Sequence, residues 1–362
     1  MRLPPRSILS AFLFLICLNT TLLDAKIGFS NLLSLQTTGI MQDDSISVSS
    51  RLLLQPESMV KFNMDNKLEV SAELSFQSTF ETDFETDPSI GLELYRLWGR
   101  LDYSGYELRA GLQQLNFGSA RVLRPLQWFD RIDPQDKFQL TSGVKALLLR
   151  KYFRNNAGIW AWGLLAEDGV GTDEIDAVSD DPEVGARLEL PLGKIESGFS
   201  FHYRDFRRAI FGTRFREHRL GLDLRYDGPL GVWLEACASS YQQEGIDLPA
   251  SGSALSLGAD YTLGIGNGVY LMQEIYWRDY VEHLHWGISS GFRLASMVTY
   301  PLGILDQLQL LWLYEKRLEL QDLSLGWQRT YDYLSWELRL SLKQAGIQPV
   351  IYSIMARFSY NI

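Results

Sequence analysis

The feature that most constrains this chain is an alternation of period two. From Leu68 onward, Leu68, Val70, Ala72, Leu74 and Phe76 occupy one parity, and Glu69, Ser71, Glu73, Ser75 and Gln77 occupy the other. Successive side chains of a strand point to opposite faces, so this segment is a strand with one apolar and one polar face. The pattern recurs over 215–226, where Leu220, Leu222, Leu224 and Tyr226 alternate with Glu217, Arg219, Asp223 and Arg225. It returns near the C-terminus with Val350, Tyr352, Ile354, Ala356, Phe358 and Tyr360. A soluble sandwich and a membrane barrel share this signature strand by strand, so the turns and the charges must decide between them.

The hairpin over 93–114 is decisive. Ser104-Gly105 forms a two-residue turn that fixes the register by pairing Tyr103 with Tyr106. One face then carries Tyr103/Tyr106, Leu101/Leu108, Gly99/Ala110 and Leu97/Leu112. The other carries Asp102/Glu107, Arg100/Arg109, Trp98/Gly111 and Arg96/Gln113, with the acidic pair diagonal to the arginine pair. An arginine held at mid-bilayer against lipid costs about 2 to 4 kcal/mol, so the charged face must look into a wet interior. Beyond the N-terminal segment no run of 18 residues is continuously apolar, which leaves a closed barrel as the way to span a membrane with every backbone group satisfied.

Short turns at Asn155-Asn156, Pro191-Leu192-Gly193, Asp227-Gly228-Pro229, Gly264-Ile265-Gly266-Asn267 and Pro301-Leu302-Gly303 alternate with longer connections, as outer-membrane barrels alternate periplasmic turns and outside loops. One connection, 167–183, holds eight acidic residues and no basic one, and is read as a solvated extracellular loop. The fold expected is all-β: an antiparallel up-and-down transmembrane barrel of about 16 to 18 strands. Counting from the tight turns leaves the termini on the outer side, a difficulty that further strands near 28–37 and 319–327 would resolve.

Residues 1–6 carry two arginines, and an apolar run over 8–18 follows, the layout of a signal peptide. The domains expected are therefore a signal at 1–25 and one barrel domain at 26–362. Cys17 falls in the signal, so Cys237 has no partner for a disulfide and is read as a small apolar strand residue. Lys and Arg total 34 against 44 Asp and Glu, a formal charge of −10 that argues against nucleic-acid partners. Aromatic residues at 12%, rich in Tyr and Trp, suit the two membrane interfaces.

The block Leu108-Arg109-Ala110-Gly111-Leu112-Gln113-Gln114-Leu115-Asn116-Phe117-Gly118, followed by Pro125, Phe129, Asp133-Pro134 and Gly143-Val144-Lys145-Ala146-Leu147, resembles a family of bacterial outer-membrane barrels akin to alginate-export and porin-like proteins. Leu112, Phe117 and Lys145 stand where that pattern has arginine, tryptophan and aspartate. The resemblance implies a barrel fold and an outer-membrane location. It does not identify a cargo.

The connection over 118–141 holds Arg121, Arg124, Asp130, Arg131 and Asp133, together with Leu123, Leu126, Trp128, Phe129 and Ile132. A long loop of this composition is usually functional. Two readings stand side by side: a constriction folded into the lumen, and a packed cap outside it. The lining residues expected are Glu69, Glu73, Arg96, Arg100, Glu107, Arg109, Glu217, Arg219, Asp223 and Arg225.

Catalysis is not expected. His283 and His285 share a strand face, yet no cysteine or carboxylate pair completes a metal site, and no nucleophile motif accompanies the serines. No cofactor is implied. Nor does a plug domain of the TonB-dependent kind precede the strands. The function expected is a porin-like channel for small polar or ionic solutes, since barrels of this size leave an aqueous lumen. Its alternatives are a loop-plugged barrel serving structure, adhesion or assembly, and a soluble secreted β-protein. The partners expected are outer-membrane lipid and lipopolysaccharide, a small polar solute and, as an open alternative, a second copy of the chain.

Overall fold

The computed structural model describes residues 24–42, 45–64, 68–83, 89–129, 143–165, 177–178, 181–208, 213–245, 250–280 and 291–361. Within them the strands follow one another as antiparallel neighbours. They are β1 (Asp24–Gln42), β2 (Ser45–Met64), β3 (Leu68–Asp83), β4 (Ser89–Tyr103), β5 (Tyr106–Gln113), β6 (Val144–Tyr152), β7 (Gly158–Leu164), β8 (Ala177–Val178), β9 (Glu183–Leu192) and β10 (Ile195–Arg208). The second half continues with β11 (Arg214–Tyr226), β12 (Gly231–Gln243), β13 (Ala250–Leu263), β14 (Val269–Tyr280), β15 (Gly291–Pro301), β16 (Asp306–Glu315), β17 (Leu320–Thr330), β18 (Leu334–Ala345) and β19 (Ile351–Asn361).

Strand β1 pairs with β2 on one side and with β19 on the other, which closes the sheet. Closure matters because an open edge would leave a row of unpaired N–H and C=O groups. The two-residue β8 lies along β10 just beyond β9, so the two form one stave, and the nineteen described segments make eighteen staves. β1 and β17 supply the two strands that parity required near 28–37 and 319–327. The residues read as a signal peptide lie outside the described residues except Asp24 and Ala25, which open β1.

The hairpin of β4 and β5 has the register expected from its turn, with Tyr103 opposite Tyr106, Arg100 opposite Arg109 and Leu97 opposite Leu112. Ser104 and Gly105 take positive φ of 49° and 79°, the twist that suits a two-residue hairpin. Leu97, Leu101, Leu108, Leu147, Leu149, Leu188, Phe199, Leu220, Leu257, Ile275, Leu325, Leu338, Leu340 and Ile354 all face outward and are exposed. A soluble monomer does not carry an apolar belt of that extent, whereas acyl chains match it. The inner face is charged, with Arg96, Glu107, Arg187, Arg204, Glu217, Arg219, Asp223, Glu235, Glu274, Glu337 and Arg339 all buried.

The wall is uneven. Strands β5, β6 and β7 have 8, 9 and 7 residues, against 19 and 20 for β1 and β2. The chain therefore leaves β5 at Gln113, low on the wall, and turns inward instead of running on to the rim.

Candidate functional site: a loop pinned inside the barrel

Residues 114–129 pack against the inner wall rather than capping it. Leu115, Phe117, Leu126, Trp128 and Phe129 form one buried cluster with Val144, Ala146 and Leu148 of β6, Trp160, Trp162 and Leu164 of β7, and Cys237 of β12. Phe117 stacks on Trp162 with 5.6 Å between ring centroids, and Trp128 meets Phe117 edge-on at 5.4 Å. Such aromatic pairs add about 0.5 to 1.5 kcal/mol each to the burial of their surface. Glycine on the wall makes the room: a Cβ at Gly221 would lie 2.6 Å from Leu126 and 3.2 Å from Trp128.

Two glutamates fix the backbone of this loop. Glu235, on the inner face of β12, accepts the N–H groups of Ala120 at 2.9 Å and Leu126 at 2.5 Å. Glu274, on β14, accepts those of Arg121 at 2.7 Å, Val122 at 3.0 Å and Leu123 at 2.7 Å, together with the Trp233 indole N–H at 2.9 Å. Both carboxylates are fully enclosed. A buried irregular segment has no ladder to satisfy its amides, and carboxylates that accept several N–H groups solve that problem while offsetting their own desolvation. Each such bond contributes on the order of 1.5 to 3 kcal/mol.

The loop's arginines differ in role. Arg121 is exposed, pairs with Asp260 at 3.0 Å and lies over the Trp233 and Tyr270 rings. Arg124 turns back on its own loop, donating to the Phe117 carbonyl at 3.1 Å and to Asn116. Asp130, Arg131 and Asp133 lie outside the described residues.

The lining residues expected from sequence fall on the inner face wherever their side chains are described. Arg96 and Glu107 are buried there, and Arg100 pairs with Asp102 at 2.7 Å. Glu107 receives Arg109 at 3.0 Å and Arg150 of β6 at 3.4 Å. The acidic pair thus neutralises the arginine pair, with Glu107 reaching on to β6. Glu217 is held between Arg204 at 2.5 Å and Arg219 at 2.6 Å, and Asp223 takes both Nη atoms of Arg187 at 2.6 and 3.0 Å. Arg225 pairs with Asp227 near the turn. Glu69 and Glu73 sit opposite Asp102 and Trp98 in the backbone register, and their side chains lie outside the described residues.

One expectation needs correcting. Glu183, counted with the acidic outer loop, is instead 1% exposed on the inner face of β9, where it meets His202 Nε2 at 2.9 Å. His202 Nδ1 accepts the Trp162 indole N–H at 3.2 Å, so Glu183 belongs to a polar chain beneath the loop aromatics. Cys237 lies on β12, as read, and packs in the loop cluster. His283 and His285 lie outside the described residues.

Glu235 and Glu274 were not singled out from sequence. Their signal was a lone carboxylate on the inward parity, between Trp233 and Cys237 on β12 and between Met272 and Tyr276 on β14. The loop amides they serve are 109 to 153 residues away.

A closed antiparallel barrel with a polar lumen and a loop tucked into it is the porin architecture. No family model matches the sequence, and the comparison with curated proteins finds no match. Solved structures do match. The chain is similar to Pseudomonas aeruginosa OccK5 (OpdH), with 12% identity, 92% of this chain and 98% of that one covered, and a TM-score of 0.60. Pseudomonas aeruginosa OpdQ matches at 10% identity, with 94% and 99% covered and a TM-score of 0.61. An anion-selective porin from Comamonas acidovorans matches at 9% identity, with 94% and 100% covered and a TM-score of 0.55. At these identities the likeness establishes the fold.

Proposed function

We propose that the protein is a porin-like channel of a Gram-negative outer membrane, passing small polar or ionic solutes through a lumen narrowed by the loop that begins at Gln114. The observation that carries this reading is the loop's seating inside the barrel, which reaches from β6 to β15 and leaves the side of β1 and β2 part-open. Its apolar residues are packed on β6, β7, β12, β14 and β15, while polar side chains such as Gln36, Thr38 and Arg51 of β1 and β2 keep part of their surface open. Arg121 of the loop is itself exposed. An inner face that mixes arginines with carboxylates favours polar over apolar cargo. Reconstitution in planar bilayers tests the reading: discrete conductance steps are expected, and their complete absence rejects it.

The same reading takes residues 1–25 as an export signal, the long-loop rim as the cell exterior, and lipopolysaccharide as the neighbouring lipid. It makes the protein a passage and not an enzyme. The 108–147 block keeps alginate-export barrels among the relatives of this reading, without selecting a cargo. Self-association into a homo-oligomer is an open part of the proposal, read from the size of crosslinked species in native membranes.

One observation favours a second reading. Leu115, Leu126 and Trp128 are each 1% exposed, so the loop is firmly seated, and a barrel plugged by its loops would be seated in the same way. Liposome swelling with small sugars separates the two, since a plugged barrel admits no solute.

A further inference from the structure

The outward faces of β10, β11 and β12 change character in steps toward the long-loop rim. Phe201, Leu220 and Ala238 form one row across the three strands, Tyr203, His218 and Ser240 the next, and Asp205, Arg216 and Gln242 the third. Arg207 and Arg214 stand opposite each other one step further. Phe201 and Leu220 are exposed members of the apolar belt, and His218 lies against the rings of Tyr203 and Phe201 at 5.0 and 6.3 Å. Each row advances about 7 Å along a strand, so Arg216 stands roughly 13 Å beyond Leu220. Allowing for a strand tilt near 40°, that is about 10 Å of height. Each polar layer of a bilayer is about 5 to 8 Å deep. The arginine row therefore meets lipid headgroups where Leu220 meets acyl chains.

A pocket of about 400 Å³ opens there, lined by Asp205, Arg214, Phe215, Arg216, Gln242, Gln243 and Glu244. The guanidinium groups of Arg214 and Arg216 remain 50% and 55% exposed while pairing with Asp181 and Asp205 respectively, the latter at 3.6 Å. A guanidinium has five N–H donors, so a single carboxylate leaves donors facing the pocket. Those suit a phosphate. The carboxylates and amides around them are wrong for a bare anion hole. They are right for sugar hydroxyls, which donate to carboxylates and exchange hydrogen bonds with amides.

We propose that this rim pocket binds the phosphorylated sugar headgroup of a glycolipid, lipopolysaccharide in its lipid A portion, with its acyl chains lying on the Phe201 and Leu220 row. The proposal rests on the outer-membrane reading above and names where that lipid is held.

The test uses the full barrel purified in detergent, with lipid A, dephosphorylated lipid A and phosphatidylglycerol as probes and bound lipid read by native mass spectrometry. Lipid A is expected to bind the unmodified protein, and both dephosphorylation and the Arg214→Ala/Arg216→Ala variant weaken it by about tenfold or more, a change of about 1.4 kcal/mol or more. Phosphatidylglycerol is expected to bind at least about tenfold more weakly than lipid A. Equal binding by the variant, equal binding of phosphatidylglycerol, or no lipid A bound to the unmodified protein overturns the proposal. A heat-modifiable gel shift verifies that the variant is folded, and Arg216→Gln alone replaces it if it is not. Planar-bilayer conductance of the same variant, expected at the unmodified level, keeps the outcomes apart: lipid A binding without conductance in either protein rejects the channel and leaves the lipid site standing.

Discussion

Glu274 Oε2 lies 2.7 Å from the backbone nitrogen of Leu123 and accepts its N–H from across the lumen. That contact, repeated at Arg121 and Val122, turns a lone wall carboxylate into a clamp for three successive peptide groups. Replacing Glu274 with Gln keeps the shape, removes the charge and leaves one carbonyl oxygen where two oxygens accepted. The bonds lose roughly half their strength, because charge-assisted hydrogen bonds are about twice as strong as neutral ones. Larger and noisier conductance steps are expected in planar bilayers, more so for Glu235→Gln/Glu274→Gln. Steps unchanged in size and noise in the double variant would remove the clamp from the account.

Cys237 is the only thiol outside the expected signal segment, and it lies under the loop cluster. It is therefore a reporter of loop seating. Folded protein should react slowly with a maleimide added in detergent. Trp128→Ala removes a side chain worth about 3 to 5 kcal/mol of packing, which raises the labelling rate by roughly a hundredfold to a few thousandfold when the loop opens locally. Equal rates would mean that the thiol is shielded by the wall alone.

Gly221 is glycine because Leu126 occupies the space of its missing side chain. Gly221→Leu overfills this contact at a cost of about 1 to 3 kcal/mol and forces the loop away from β11. Limited trypsin digestion should then cut the loop at Arg121 or Arg124 while the barrel survives intact. A variant as resistant as the unmodified protein would contradict this placement.

The two faces of the wall should respond differently to charge. Leu149→Arg and Leu338→Arg put a guanidinium on the outer belt and are expected to lower folding stability by about 2 to 4 kcal/mol in urea titrations with lipid. Arg121→Glu, on the loop, should leave that stability nearly unchanged and shift the reversal potential toward cation preference. A stability loss of equal size at both kinds of site would argue against a water-filled lumen.

The sequence made the wall legible where a tight turn fixed a register. Ser104-Gly105 did so for β4 and β5, and every pair from Tyr103/Tyr106 to Leu97/Leu112 follows by counting. Period two then assigned Arg96, Glu107, Glu217, Arg219 and Asp223 to the inner face. The loop was another matter. Its mixed arginines, aspartates and apolar residues were compatible with a cap and with a constriction, because the groups that choose between them, Glu235 and Glu274, sit on strands far along the chain. Glu183 was misassigned for a related reason: its neighbours in sequence are acidic and solvated in character, and its neighbour in space is His202.

The clamp also sets an order of assembly. The amides of residues 120–123 find their acceptors only on β12 and β14, across 115 to 153 residues of chain. Long-range contacts form late because the intervening chain must first be brought together. The loop is therefore among the last parts to settle. A molecule halted before β14 joins the sheet would hold a complete hairpin of β4 and β5 and an unseated loop, a species that proteases in the surrounding compartment can recognise and remove.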